Sequence, residues 1–273
     1  MEYQVVKKIH INKDKCRKIG EFYYNESEDG LYFESPWPFP VQLYIREGLS
    51  SCQVTPGFLR LPFILKGWIN LDILLREIDV LTLALQGKIL MHGSCVDNKL
   101  IVGFPNAGKT YQTYKEVAQG GSLISEEYTV LSISKSGKNV HAEPYKPIMR
   151  TCFSRRTIED CGIDISFGES VKLWLSEIRA MLMPFMFEGA IWKEIPASGK
   201  TSKIKRIEYG STDDQVTHWK GFAILCENEF PFMSSEFLQA YAFASGLDLL
   251  GIQEKQRKLI KEIVERVYPD HRK

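Results

Sequence analysis

The chain has 273 residues, 44% of them hydrophobic, and a formal net charge of +1, enough to bury a full core in one large α/β domain or in such a domain plus a smaller appendage. Near-neutral charge argues against a dedicated nucleic-acid or membrane partner. The six cysteines are scattered, with no C-x-x-C pair and no histidine at metal-ligand spacing, which fits a reduced, cytoplasmic protein better than a disulfide framework or a zinc site.

From the N-terminus, Met1 to Lys18 carries many charges and no apolar segment, which is unlike a secretory signal. Residues 1–64 read as a strand-rich region. Within it, Glu21 to Tyr24 is a strand, Glu28-Asp29-Gly30 a turn, Leu31 to Phe33 a second strand, and Val41 to Ile45 a third after the proline-rich Pro36 to Pro40. Over 65–85 the residues Leu71, Leu74, Leu75, Ile78, Leu81 and Leu85 recur at helical spacing. This helix is expected to bridge the first region to a second domain, 65–273.

A hairpin follows: Ile89 to Val96, a turn at Asp97-Asn98, and Lys99 to Val102. It feeds Gly103-Phe104-Pro105-Asn106-Ala107-Gly108-Lys109-Thr110, a complete G-x-x-x-x-G-K-[ST] pattern, after which Thr110 to Ala118 reads as a helix closed by Gly120 and Gly121. By chance the pattern arises in roughly one chain in a hundred of this length, but strand, loop and helix here follow in the order that phosphate binding requires. The glycines let backbone N–H groups turn onto phosphate oxygens, and the helix N-terminus adds partial positive charge. Lys109 is expected to reach the β and γ phosphates and Thr110 to offer its hydroxyl to Mg²⁺, so the ligands implied are ATP, or another nucleoside triphosphate, and Mg²⁺.

Downstream, Ser122 to Ser125 reads as a short strand ending in Glu126-Glu127, followed by a strand from Tyr128 to Ser134. Glu126 lies 17 residues after Lys109, a separation that lets a strand parallel to the one before the loop bring its C-terminal end back to the phosphates. Adjacent strand residues point to opposite faces, so both carboxylates can serve one site only if the strand ends there. Taken alone, the pair also fits a solvated acidic turn, and His92 fits a core histidine. Lys203, Lys205 and Arg206 alternate with Ile204 and Ile207 as the wet face of a strand, and Leu259, Ile260, Ile263, Val264 and Val267 form one stripe of a terminal helix.

The succession Met91-His92-Gly93-Ser94, a hairpin, Gly103 to Thr110 and a carboxylate pair after the next strand resembles the HPr kinase/phosphorylase family and its smaller relatives that phosphorylate serine. The match covers roughly 88–135. It implies an α/β fold: a mixed-sheet P-loop core of the HPr kinase and phosphoenolpyruvate-carboxykinase type, with the strand-rich region as an N-terminal appendage. It also implies a kinase in which His92 helps to manage the proton and the phosphates, Glu126 acts as base and Glu127 holds the metal, although the two acids can exchange roles. Two departures stand out. Glutamates replace the family's aspartates, and Glu-x-Arg-Gly-Leu-Gly is missing, since Glu177-Ile178-Arg179 continues as Ala180-Met181-Leu182 in a helix.

A cation should stabilise the transferring phosphoryl group, and Arg150 is the first candidate, with Arg155 and Arg156 behind it. The reading is an ATP-dependent phosphotransferase acting on a hydroxyl of a peptide, a protein or a small molecule, with no nucleic-acid or membrane partner and with a homo-oligomer allowed. Two alternatives stand beside it: a regulatory nucleotide-binding module without turnover, and a GTPase. The GTPase lacks an Asn-Lys-x-Asp guanine signature, and Asp248-Leu249-Leu250-Gly251 is distant and helical.

Overall fold

In the computed structural model, residues 3–20, 22–28, 30–35, 41–46, 52–56, 71–103, 107–182, 189–210 and 236–268 are described. The strands are β1 (Tyr3–Val5), β2 (Arg17–Ile19), β3 (Phe22–Asn25), β4 (Gly30–Ser35), β5 (Val41–Ile45), β6 (Cys52–Val54), β7 (Ile89–Val96), β8 (Lys99–Val102), β9 (Leu123–Ser125), β10 (Tyr128–Ile133), β11 (Val140–Pro144), β12 (Ile148–Ser154), β13 (Ala190–Pro196), β14 (Ser202–Lys203) and β15 (Arg206–Tyr209). The helices are α1 (Leu71–Leu85), α2 (Lys109–Ala118), α3 (Arg155–Cys161), α4 (Phe167–Leu182), α5 (Glu236–Ala244) and α6 (Leu249–Val267). The architecture is mixed α/β with mixed sheets.

Two compact units divide the chain: Met1–Gln86 with Pro231–Lys255, and Gly87–Phe230 with Gln256–Lys273. The first holds a sheet of order β1-β6-β5-β4-β3-β2, antiparallel except for the parallel β1·β6 pair. Leu31, Leu43, Ile45 and Val54 are wholly buried in it. The three sequence-expected strands become β3, β4 and β5, while β1, β2 and β6 are three residues each and carry no apolar run to announce them. The helix expected over 65–85 is observed as α1 and belongs to this unit, with Ile78 and Leu81 buried one turn apart; residues 65–70 lie outside the described residues.

The second unit is built on a sheet of order β14-β11-β10-β7-β8-β15, with β9 also paired to β7. β7 is the spine. Its alternate residues Ile89, Met91 and Cys95 are buried in a core with Leu100, Val102, Ile124 and Leu131, closed by Ile260, Ile263 and Val264 of α6. The expected stripe of the terminal helix is therefore the lid of this core. On the opposite face of β7 fall His92 and Ser94, two residues apart. β8 pairs antiparallel to one edge of β7 and β9 to the other, Cys95 being opposite Leu100 and Ser125 at once. The strand ends at Val102 and Ser125 thus lie at the same end of the sheet, which is the return that the 17-residue separation anticipated, although β7 lies between them. A second core joins Tyr114 of α2, Phe153 of β12, Ile158 of α3, Leu173 of α4 and Ile191 of β13.

Candidate active site

β8 stops at Val102 because the parallel ladder to β15 ends there, with Tyr209 opposite Val102 and the Gly210 N–H donating to Val102 O at 2.8 Å. Gly103 follows, and Phe104, Pro105 and Asn106 of the loop lie outside the described residues. Ala107 and Gly108 lead into α2, whose N-cap is Gly108 in the left-handed region, φ 81°. Glycine has no side chain with which to cap, so the first-turn N–H groups stay open to an anion. Gly210 closes the other wall: a Cβ there would stand 2.2 Å from Ala107 O, at φ 53°. Only a glycine lets these two backbones approach so closely.

Lys109 is half-buried, and its Nζ donates to Gly103 O at 2.8 Å. Burial pulls its pKa down, and the charges of Glu126 and Glu127 oppose that pull. Thr110 Oγ1 donates to Glu126 Oε1 at 3.0 Å, and Ser94 Oγ donates to Glu126 Oε2 at 2.8 Å. A carboxylate only 3% exposed therefore ties the loop threonine to the spine strand. Desolvation lifts the Glu126 pKa to about 7; the two hydroxyl bonds and Lys109 hold it down, and Glu127 pushes it further up.

The acid pair does not sit on a regular strand. β7 and β10 keep one register from Tyr128↔His92 to Leu131↔Ile89, and Ser125↔Cys95 continues it. Glu126 and Glu127 would face Ser94 and Gly93, but there the ladder lifts away. The Tyr128 N–H donates to Glu126 O at 2.7 Å, closing a three-residue turn on Glu127, whose φ is 62°. A non-glycine residue in that region is uncommon and costs energy. Buried hydroxyls support the turn: Thr129 Oγ1 donates to Gly93 O at 2.6 Å and lies 2.5 Å from Ser125 Oγ. The turn keeps both carboxylates in one cleft, which a continuing strand would not do.

That cleft encloses about 480 Å³ between two walls. One wall holds His92, Ser94, Gly108, Lys109, Thr110, Tyr111, Glu126 and Glu127; the other holds Thr151, Cys152, Ser154, Thr157, Gly189, Ala190 and Trp192. His92 stacks on Tyr128, its cross-strand partner, at 5.4 Å between ring centroids. Thr151 Oγ1 and Tyr114 Oη are buried without a partner at hydrogen-bonding geometry. They are close enough, however, for the threonine to temper the rise that burial and the Glu126 charge impose on the tyrosine pKa.

The predicted site residues meet in part. His92, Gly108, Lys109, Thr110, Glu126 and Glu127 line one cleft, and Gly103 and Ala107 adjoin it. Arg150 is placed by its backbone alone, in β12 opposite Glu194, and its side chain lies outside the described part. Arg155 makes a two-pronged pair with Glu177 at 2.8 and 2.7 Å, and Arg156 pairs with Asp160 and stacks on Tyr111. Both are engaged at the surface. Asp248 caps α6, its Oδ1 accepting the Gly251 N–H at 3.0 Å, so the Asp-x-x-Gly run is a helix start. Sequence reasoning gave no role to Ser94 and missed the whole second wall, whose strands lie 36 residues apart at their facing ends, Ser154 and Ala190, and carry no motif.

Among the described residues no cluster of three or more His, Cys, Asp or Glu side chains is placed to hold a metal, and no helix is long and apolar enough to cross a membrane. The donors at hand are hard oxygens, the Thr110 hydroxyl and two carboxylates. They suit Mg²⁺, which takes one or two protein ligands and completes its shell with water and phosphate oxygens. Compared with known proteins, the chain matches no family model and no curated protein.

Proposed function

We propose that the protein is an ATP- and Mg²⁺-dependent phosphotransferase that moves the γ-phosphoryl group to a hydroxyl, foremost a serine of a peptide or protein. The observation that carries this reading is the double hydrogen bond that joins Glu126 to Thr110 and Ser94, with Glu127 one residue on in the same cleft as Lys109. The resemblance to the HPr kinase family in the order of His92, loop and acid pair supports it, as does the open N-terminus of α2.

The roles of the two acids follow from their surroundings, in the order opposite to the first expectation. Glu126, buried and bonded to the hydroxyl that phosphate loops offer to a metal, takes the metal side. Glu127, partly exposed, is the base for the acceptor hydroxyl. Bound Mg²⁺ supplies neutralisation of charge on the phosphate oxygens. Lys109 leaves Gly103 O for the β and γ phosphates, and the first-turn N–H groups of α2 hold the same oxygens. The acceptor oxygen forms a bond to phosphorus as the bond from the γ phosphorus to the bridging oxygen breaks. Its proton passes to Glu127, and ADP leaves with the bond's electron pair.

The test is labelled-ATP transfer by purified protein, with Lys109→Ala as blank. Glu127→Gln is expected to lower kcat by roughly a hundredfold or more while keeping Mg·ATP affinity, and Glu126→Gln to lose the Mg²⁺ response. If Glu127→Gln transferred at the wild-type rate, the base would be misassigned. ATP binding with no transfer to any hydroxyl acceptor would point to a regulatory module.

A further inference from the structure

The second wall of the cleft is the end of a longer surface. β12 and β13 pair antiparallel from Ile148↔Pro196 to Ser154↔Ala190. One face of this hairpin is down: Met149, Phe153 and Ile191 are buried, the last two in the core beneath the cleft. The other face is open. Ile148 is 58% exposed and Trp192, opposite Cys152, is 56% exposed. The inner end of this face, Cys152 with Trp192 and Ser154 with Ala190, lines the cleft that holds Lys109 and both glutamates.

From this geometry we infer that the open face of the β12–β13 hairpin is the acceptor site, and that it takes an extended peptide carrying an aromatic or large aliphatic side chain beside the reacting hydroxyl, seated on Trp192. This rests on the phosphotransferase reading, and three observations carry it. First, the inner end of the face lines the same cleft as Lys109 and both glutamates. Next, the six side chains on that side of the cleft, Thr151, Cys152, Ser154, Thr157, Ala190 and Trp192, are uncharged. The neighbouring cations are engaged, Lys193 with Glu169 and Asp164 O, and Arg155 with Glu177. At the cleft end of the face recognition is therefore by apolar contact and the neutral Ser154 hydroxyl, and between this end and Ile148 the same face carries the position of Arg150 opposite the exposed Glu194. Last, the exposed apolar positions are spaced along the strand: Ile148 is four residues from the Cys152 position that faces Trp192, or about 13 Å at strand rise. An extended peptide covers that distance with four residues, whereas a small hydroxyl compound fills only the inner end.

In the reaction the serine oxygen of the peptide bonds to the γ phosphorus, the bond to the bridging oxygen of ATP breaks, and the serine proton goes to Glu127. Positional-scanning libraries of peptides around a fixed serine, with labelled ATP and Mg²⁺, test this on wild type, Trp192→Ala and Trp192→Phe. Lys109→Ala serves as blank, and calorimetry measures ATP binding. The wild type should select an aromatic or large aliphatic residue at one position flanking the serine. For the selected peptide Trp192→Ala should lower kcat/KM by roughly tenfold or more, mainly through KM, and Trp192→Phe should restore most of it. Labelled peptides without that preference, or an undiminished Trp192→Ala, would overturn the acceptor site and leave the phosphotransferase standing. So would label found only in small-molecule hydroxyls, or ATP binding with no labelled peptide. A wild type that bound no ATP would remove the reading underneath as well.

Discussion

Glu126→Gln is expected to make the folded protein more stable at neutral pH while disabling it. In the folded state burial lifts the Glu126 pKa to about 7 from the ordinary 4.5. As pH rises through 4.5 the unfolded chain gives up this proton and the folded chain keeps it. The unfolded state then binds fewer protons, so wild-type stability falls with rising pH until the folded carboxyl also ionises near 7. At about 1.4 kcal/mol per pH unit the loss across that window sums to about 3 kcal/mol. Glutamine keeps the side-chain length and meets both hydroxyls, since Ser94 and Thr110 can rotate to donate or accept, and it has no charge to desolvate.

The assay is thermal unfolding of wild type and Glu126→Gln from pH 4.5 to 8.5, without nucleotide or metal. The two should melt together at pH 4.5, with the variant rising above the wild type through pH 7 and holding constant beyond. For a unit of this size about 3 kcal/mol corresponds to a Tm difference of roughly 6–12 °C. A pH-independent difference would refute the reasoning, and so would a variant less stable than wild type at pH 8. Adding Mg²⁺ and ATP should narrow the gap, because a ligand that binds the ionised carboxylate stabilises the wild type more than the variant.

Ser94→Ala removes one of the two hydroxyl donors that hold the Glu126 carboxylate, worth about 1–2 kcal/mol. Its Mg·ATP affinity, measured by calorimetry, should fall several-fold at pH 7 and recover toward pH 9. Gly210→Ala sets a Cβ 2.2 Å from Ala107 O at φ 53°, which costs about 1–3 kcal/mol. It should both lower Tm and weaken ATP binding, because Ala107 adjoins the loop glycine. Phe153→Ala opens the core below the cleft, where Phe153 meets Tyr114 edge-on at 4.7 Å; denaturant melts should show a loss of about 3–5 kcal/mol.

The parts of the fold that the sequence made legible are those whose physics is local. Asp97-Asn98 between two apolar runs is a hairpin signal, and β7 and β8 have the bounds that the alternation predicts. The G-x-x-x-x-G-K-T pattern carries its own helix start, so α2 appears one residue earlier than expected. β1, β2, β6 and β14 were not legible because two or three residues hold no periodicity, and they form strands only because a neighbour offers an edge. The second wall was hidden for a related reason. Thr151, Ala190 and Trp192 gain meaning only when β12 and β13 pair across a long stretch of chain.

The acid pair lies between these cases. Its distance from Lys109 was readable, but its geometry was not, because a regular strand would have sent one carboxylate away from the site. What brings both into the cleft is the left-handed turn at Glu127, held by Thr129 and Ser125 from beneath. Each hydroxyl contact is local in space and carries no spacing rule in sequence. The same turn bears on glutamate standing where the resembled family has aspartate. Glu126 reaches Thr110 Oγ1 and Ser94 Oγ together, at 3.0 and 2.8 Å, one oxygen to each. Its extra methylene is therefore taken up in spanning from β9 to the loop helix, so the substitution does not leave the carboxylate displaced from the hydroxyl that would share the metal. The strain at Glu127 and the burial of Glu126 both lower stability, and both are located where the proposed chemistry needs a carboxylate aimed and partly desolvated.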